Sequence, residues 1–278
     1  HYVPHDSHNA LKSLYKAQVA DAAATLLKRT YSLINLFSYS LRKRAAFTLA
    51  EVLITLGIIG VVAAITMPAL IQNYTHSVAE TRLKKFYSVM NQAILQSIVD
   101  NGEVDSWSYF NNDIRDDEGN LENQTDKNDE SFQKYLAPYL KITHKKEAKN
   151  ADGNKIILYF LADGSAFYFA QHENRDIYFI PKNPEKCIKK ENSIGACRFI
   201  FEFYPISDAP SWKYLYKKGM EPCLYDWDGD EDTLYNDTTR GCNPNTGTNN
   251  ENGGAYCTAI IQRNGWKIPK NYPRRISF

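Results

Sequence analysis

The stretch FTLAEVLITLGIIGVVAAITMPALI, residues 47–71, decides the architecture of this chain, and Glu51 is the only charged side chain within it. About 20 consecutive apolar residues are enough for a helix to cross the hydrocarbon core of a bilayer. The stretch therefore predicts a transmembrane helix. A basic cluster, Arg42-Lys43-Arg44, precedes it. Because basic flanks stay in the cytoplasm, we expect the long C-terminal part on the opposite side of the membrane.

A secretory signal peptide has the same order of a basic flank and an apolar run. Two features favour a permanent anchor. The run is longer than a typical signal-peptide core, and beyond Met67-Pro68 the pattern continues as a helix where a cleavage region would be expected. A carboxylate costs about 2–3 kcal/mol at the centre of a membrane helix, less near an end, and usually marks function. For Glu51, the alternative is a tolerated charge at the interface.

The residues around Glu51 resemble the processing site of type IV prepilins and type II secretion pseudopilins: RKRAAFTLAE, residues 42–51. In that family a basic leader ends in a small residue, usually Gly. Prepilin peptidase cleaves there, the new N-terminal Phe is methylated, and a Glu stands fifth. The resemblance implies cleavage between Ala46 and Phe47, N-methylation of Phe47, and Glu51 as the family's glutamate.

The resemblance is strong over residues 42–75, where Gly60 and Pro68 match the small and helix-bending positions of the family's anchor. It implies an α+β fold, with a long N-terminal helix packed on a C-terminal antiparallel sheet. It also implies a single-pass precursor in the bacterial inner membrane, with an extracytoplasmic (secreted) globular domain. The implied partners are membrane lipid, prepilin peptidase, the inner-membrane assembly platform, and copies of this or related pilin subunits. Pilus, secretion pseudopilus and DNA-uptake filaments share this N-terminus, so the sequence does not separate them.

The physical basis of assembly follows from the charges. When helices pack in a filament, the carboxylate of Glu51 and the new amine of Phe47 are both costly to desolvate unpaired. Placing the amine of one subunit against the carboxylate of another offsets both costs and sets the stagger. Gly57 and Gly60 allow close helix approach, and Pro68 removes a backbone hydrogen bond and should bend or loosen the helix. Apolar packing would come from Val52, Leu53, Leu56, Ile59, Val62 and Ile65.

The segment before the anchor has two explanations, because no Met occurs before Met67. Residues 1–46 are either a long leader, or residues 1–40 lie upstream of a start at Leu41 decoded from an alternative initiation codon. We favour the second. The expected organisation is a leader over 1–46, the membrane and assembly helix over 47–71, its amphipathic continuation over 72–100, and the globular domain over 101–278.

In the mature part beyond the membrane, the sequence pattern predicts a helix followed by strands. A stripe at helical spacing should pack on a sheet: Leu83, Phe86, Met90, Ile94 and Ile98. Asn101-Gly102 offers a helix stop. Residues 101–131 should be an exposed loop, and residues 132–140 a short helix. Residues 155–169 predict a hairpin with Asp163-Gly164 at the turn, and residues 176–181, 197–204 and 258–262 predict further strands. One helix and then an antiparallel sheet is an α+β plan.

Five cysteines lie in the C-terminal third and lack the C-x-x-C spacing of zinc sites. In an exported domain, disulfides are expected. We favour Cys187–Cys197 and Cys242–Cys257, because each pair closes a short loop. Cys223 would then be free, or would compete for Cys242. Five reduced thiols are the alternative in a reducing compartment.

An acidic segment suggests calcium. Asp226, Asp228, Asp230 and Asp232 alternate, and Asp237 stands twelfth counting from Asp226, as in calcium-binding loops. Glu231 occupies the position where such a loop needs glycine. Some major pseudopilins hold calcium in a C-terminal loop, so the resemblance fits this idea. The alternative is a solvated acidic turn.

Composition and motifs argue against other classes. Lys and Arg total 33 against 32 for Asp and Glu, so the chain lacks the basic excess of nucleic-acid-binding proteins. His76, His144 and His172 stand alone, and no catalytic motif is present. We expect a filament subunit without enzymatic activity or a required cofactor. The alternative is a membrane-tethered module that never polymerises and holds a ligand on its sheet.

Overall fold

The computed structural model describes residues 48–107, 117–119, 124–170, 175–203, 207–245 and 253–278. Ala46 and Phe47, the predicted cleavage site, lie outside the described residues, as does the rest of the leader. The chain divides into two compact units, His1–Thr66 and Met67–Phe278.

Helix α1 spans Leu49–Asn101 and contains Pro68 in its interior. It ends where the sequence predicts, because Gly102 adopts the left-handed φ of 79° that closes many helices. The indole of Trp107 then donates a hydrogen bond to the Gly102 carbonyl at 2.9 Å. This bond satisfies a carbonyl at the helix end.

The six strands form one antiparallel sheet in which each strand pairs with the next along the chain. Their bounds are β1 Ile142–Lys149, β2 Lys155–Leu161, β3 Ala166–Phe169, β4 Asp176–Ile180, β5 Phe199–Phe203 and β6 Met220–Pro222. The predicted hairpin is confirmed as β2 and β3, with Gly164 at a positive φ of 79° in the turn. The strands predicted over 176–181 and 197–204 are confirmed as β4 and β5. A long helix followed by this sheet is the predicted α+β fold.

The predicted helical stripe packs on one face of the sheet. Phe86 is 3% exposed, and its ring stacks on Phe179 with centroids 4.3 Å apart. It also contacts Phe167 at 5.3 Å and Phe201 at 5.5 Å. Four of the five stripe residues are buried, and Ile98 packs partly buried against the same cluster.

The opposite face of the sheet is also covered, so the central strands are apolar on both sides. Alternate residues of β2 and β3, such as Leu158 and Tyr168, pack there around the Cys187–Cys197 disulfide. A third cluster joins Ile200 of β5 to the C-terminal segments.

Shorter helices follow α1 among the described residues, the first three being α2 Thr125–Tyr135, α3 Pro184–Cys187 and α4 Glu231–Asn236. The prediction of an exposed loop over 101–131 is therefore wrong in part. Trp107 is 6% exposed and stacks on Tyr135 at 4.7 Å. Trp107, Tyr109 and Phe110 form a short aromatic group in a mostly polar stretch. A group this short does not reveal which of its residues is buried, so the sequence alone did not indicate the burial of Trp107.

The strand predicted over 258–262 is also wrong, because Cys257–Arg263 forms helix α5. Short apolar runs do not distinguish a buried strand from a buried helix. Here consecutive residues pack in two different clusters. Ile260 packs in the cluster that contains Ile200, and Ile261 packs in the cluster around the helical stripe of α1.

Candidate functional site

The start of α1 is held by a reciprocal pair of side chains. The Thr48 amide and hydroxyl both donate to Glu51 Oε2 at 3.0 Å, and the Glu51 amide donates to the Thr48 hydroxyl at 3.2 Å. This is a capping box, which satisfies amides that have no partner within the helix. The Thr-x-x-Glu spacing signals it in the sequence, but Thr48 is not among the residues predicted for the site.

The cap leaves Glu51 available to a partner. The residue is exposed, and among the described residues nothing donates to its second oxygen, Oε1. A carboxylate at a helix N-terminus is favourably placed against the positive end of the helix dipole. Glu51 can therefore accept a cation without giving up its cap.

The apolar residues that follow Glu51 are not covered by any part of the chain that the structure describes. The helix is long and apolar enough to cross a membrane, and its most apolar stretch is not buried against the described residues. Leu53, Leu56 and Ile59 are 60%, 60% and 63% exposed. This apolar surface needs lipid or other helices around it.

Gly60 and Pro68, the other residues predicted for assembly, both lie within α1. A β-carbon at Gly57 or Gly60 would meet nothing within 4 Å. Both positions can therefore admit a second helix closely. Pro68 lies inside the helix, which continues on both sides of it.

The disulfides join the two pairs that the spacing favoured. Cys187 is bonded to Cys197, and Cys242 to Cys257. Cys223 is free and buried. Burial, with a smaller contribution from Glu202, raises the pKa of the Cys223 thiol well above its usual value. The thiol therefore stays protonated and unreactive near neutral pH.

The acidic segment uses its carboxylates for its own turns. Asp228 accepts from the Asp230 amide at 2.9 Å and from the Thr233 hydroxyl at 2.8 Å, and these bonds lower its pKa. Asp230 caps α4 by accepting from the Asp232 amide at 3.0 Å. Asp228 and Asp230 thus each cap a turn by accepting from the amide two residues later.

The predicted calcium ligands consequently do not converge on one point. Asp237 accepts from the Thr239 and Arg240 amides, and Asp226 has a left-handed φ of 59°. In the described part of the chain, no three His, Cys, Asp or Glu side chains are placed to hold a metal ion. Calcium binding by Asp226, Asp228, Asp230, Asp232 and Asp237 stays a prediction. An unchanged melting temperature at millimolar calcium would remove it.

The two described histidines beyond the leader have structural contacts. His76 Nε2 lies 2.5 Å from Gln72 Nε2, and burial lowers its pKa, opposed by Glu80. His144 stacks on Phe160 at 4.2 Å. His172 lies outside the described residues.

Two family models match the chain. One describes a prokaryotic N-terminal methylation motif and matches residues 41–67. The other describes a family of unknown function, DUF6613, and matches residues 69–276, more than half of the chain. No curated protein and no solved structure matches.

Proposed function

Because this chain belongs to the family of unknown function DUF6613 and carries the prokaryotic N-terminal methylation motif, we propose that it is a filament subunit. The chain is a pilin- or pseudopilin-type precursor. The proposal extends this to a type IV pilus-like or type II secretion pseudopilus filament. The observation that carries it is the methylation motif on an apolar helix that none of the described residues covers. The motif points to a structural subunit rather than an enzyme.

Maturation follows from the position of the motif. Prepilin peptidase cuts between Ala46 and Phe47 on the cytoplasmic side, and Phe47 is methylated. Before assembly the subunit is held in the inner membrane by its single apolar helix, with the globular domain outside the cytoplasm. Among the described residues, one helix is long and apolar enough to span a bilayer, and it supports this placement.

Assembly uses the open side of Glu51. The amine of Phe47 on one subunit meets Oε1 of Glu51 on another, while Oε2 keeps its bonds to Thr48. Both charges are then paired in a medium where either alone would be costly. The open surfaces at Gly57 and Gly60 admit neighbouring helices.

Two substitutions of Glu51 separate its charge from its capping role. Glu51→Gln keeps an acceptor that can complete a capping box, but it has no charge for the amine. Glu51→Ala loses both. We expect each full-length variant, expressed in the native host, to reach wild-type levels in membranes. In the sheared filament fraction, immunoblots should show at least about tenfold less of the subunit. The reason is that losing an interaction worth more than about 1.4 kcal/mol shifts an equilibrium at least tenfold.

The control is Thr66→Ala, because among the described residues the Thr66 hydroxyl bonds only to the carbonyl of Val62 in its own helix. This variant should assemble normally. Wild-type filament yield from Glu51→Gln would refute the charge-pairing mechanism. Unchanged behaviour of both Glu51 variants, with no filaments from the wild type, would favour the non-polymerising tethered module.

Processing has its own test. Mass spectrometry of the protein from native membranes should find a new N-terminus at a methylated Phe47. A peptide that remains intact across Ala46 and Phe47 would contradict the proposed maturation.

A further inference from the structure

The C-terminal segment forms a cleft against α1 just after the apolar run. The cleft has a volume of about 500 Å³, and Gln72 and His76 line it from α1. Lys270, Tyr272 and Arg275 line it from the C-terminal segment. Neither the methylation motif nor the proposed assembly helix accounts for this site.

With residues 47–71 in the bilayer, the cleft lies along α1 at the depth of the lipid headgroups. Leu70 and Ile71 are 69% and 60% exposed and end the apolar run. At 1.5 Å per residue, Gln72 and His76, which line the cleft, lie about 1.5 Å and 7.5 Å further along the helix. The headgroup layer on each side of a bilayer is about 5–7 Å thick. Tyr74, 58% exposed, lies in the same turns and is of a residue type enriched at this interface.

The cleft carries unpaired positive charge. Lys270 and Arg275 are exposed, and neither forms an ion pair with the described residues. The nearby Glu80 does not neutralise them. It is already bound to Lys267 Nζ at 2.7 Å and to the Ile268 amide at 2.9 Å.

The basic segment is fixed in place. Arg274 is 7% exposed and donates to the carbonyls of Ile194 at 3.1 Å and Asn243 at 2.6 Å. A further cation, Lys182, lies 5.1 Å from the ring of Tyr74. The cations at this depth therefore belong to a folded surface, not to a free tail.

We propose that this cleft binds the headgroup of an anionic phospholipid from the membrane that holds α1. Lys and Arg near an anionic membrane surface each contribute about fivefold to binding, and a guanidinium can bind phosphate through two parallel hydrogen bonds. The volume is in the range of small-molecule sites. The inference rests on the proposed membrane anchoring, but it does not depend on filament assembly.

The test is a lipid titration of the full chain. Protein in a neutral detergent is titrated with phosphatidylglycerol or with zwitterionic phosphatidylcholine, and bound lipid is counted by native mass spectrometry. Phosphatidylglycerol should bind more tightly. The double variant Lys270→Ala/Arg275→Ala should lose roughly 30-fold in affinity for it. Both side chains are exposed, so the melting temperature of the variant should match the wild type.

The matched control is Lys134→Ala/Lys141→Ala, which also removes two exposed cations. These residues flank Tyr139, whose hydroxyl donates to Asp100 at 2.7 Å at the far end of α1. That end is about 36 Å along the helix from His76. The control should keep wild-type preference for phosphatidylglycerol.

Three results would overturn the inference. They are equal affinity for the two lipids, unchanged preference in Lys270→Ala/Arg275→Ala, and displacement of phosphatidylglycerol by an equal concentration of inorganic phosphate. Glu51→Ala should keep the lipid preference, so failure of assembly and failure of lipid binding are separate outcomes. Failure of the wild type to enter phosphatidylcholine nanodiscs would overturn the anchoring and this inference together.

Discussion

Replacing Phe86 with alanine should detach the helix from the sheet more than any other single truncation on the stripe. The side chain is 3% exposed and meets three aromatic rings of the sheet, at 4.3 Å for Phe179, 5.3 Å for Phe167 and 5.5 Å for Phe201. Truncating such a residue to alanine costs about 3–5 kcal/mol, because the rigid surroundings leave a cavity. Phe86→Ala should therefore remove much of a typical domain's stability.

The measurement is urea unfolding of the full chain in detergent micelles, followed by tryptophan fluorescence. Trp107 and Trp227 are each 6% exposed, so both should report the loss of packing. With a slope of up to about 3 kcal/mol per molar urea, the midpoint should fall by about 1 M or more.

The matched control is Leu95→Ala on the same helix, where the leucine is 65% exposed. An exposed substitution of this kind changes stability by only about 0.5 kcal/mol. If Phe86→Ala unfolds at the same urea concentration as Leu95→Ala, the packing of the stripe on the sheet is refuted.

Further predictions concern one ion pair and the cysteines. Burial opposes ionisation of Asp163, but hydrogen bonds led by that from Lys85 at 2.8 Å lower its pKa to about 2. A carboxyl group whose pKa is lowered in the folded state contributes stability at pH values above its pKa in the unfolded chain, and this contribution is lost as the pH falls toward 2. Lys85→Ala should therefore lower the melting temperature more at pH 6 than at pH 2. Equal losses at the two pH values would contradict this. Replacing Cys187 and Cys197 with serine opens a loop with a sequence separation of 10 and should cost about 2–3 kcal/mol in denaturant titrations. Alkylation in denaturant without reductant should modify Cys223 alone, and a second modified thiol by mass spectrometry would exclude the two disulfides.

Local signals in the sequence were enough to predict α1. The apolar run, the stripe around Phe86 and the stop at Gly102 each depend on residues within a few turns of one another. Helix periodicity and capping are local effects, so they can be read without knowing the partner surface. The same holds for the hairpin, whose Asp163-Gly164 turn lies directly between the strands it joins.

The outer strand β1 was not predicted, for a reason of packing. Its residues are mostly exposed on both faces, so it lacks the alternation that marks a half-buried strand. It forms because it pairs with β2 along its length, from Ile142 opposite Leu161 to Lys149 opposite Lys155. Its lysines suit an outer edge, where charge discourages pairing with other chains.

The acidic segment shows what a local pattern leaves open. Alternating aspartates suggested a metal loop, because the sequence does not reveal which hydrogen bonds each carboxylate already makes. In the fold, Asp228 and Asp230 accept from amides two residues further on. The spacing that calcium loops use is also the spacing of capped turns.

The sequence by itself determined the processing motif, the apolar helix behind it and the α+β plan, because each depends on residues close along the chain. Only the tertiary structure decided that α5 is a helix between two cores and that the cationic cleft exists at all. His76 and Arg275 are far apart in sequence, and they share a cleft because Arg274 holds the C-terminal segment to the carbonyls of Ile194 and Asn243. Contacts of this kind follow from how the whole chain packs, and no local pattern encodes them.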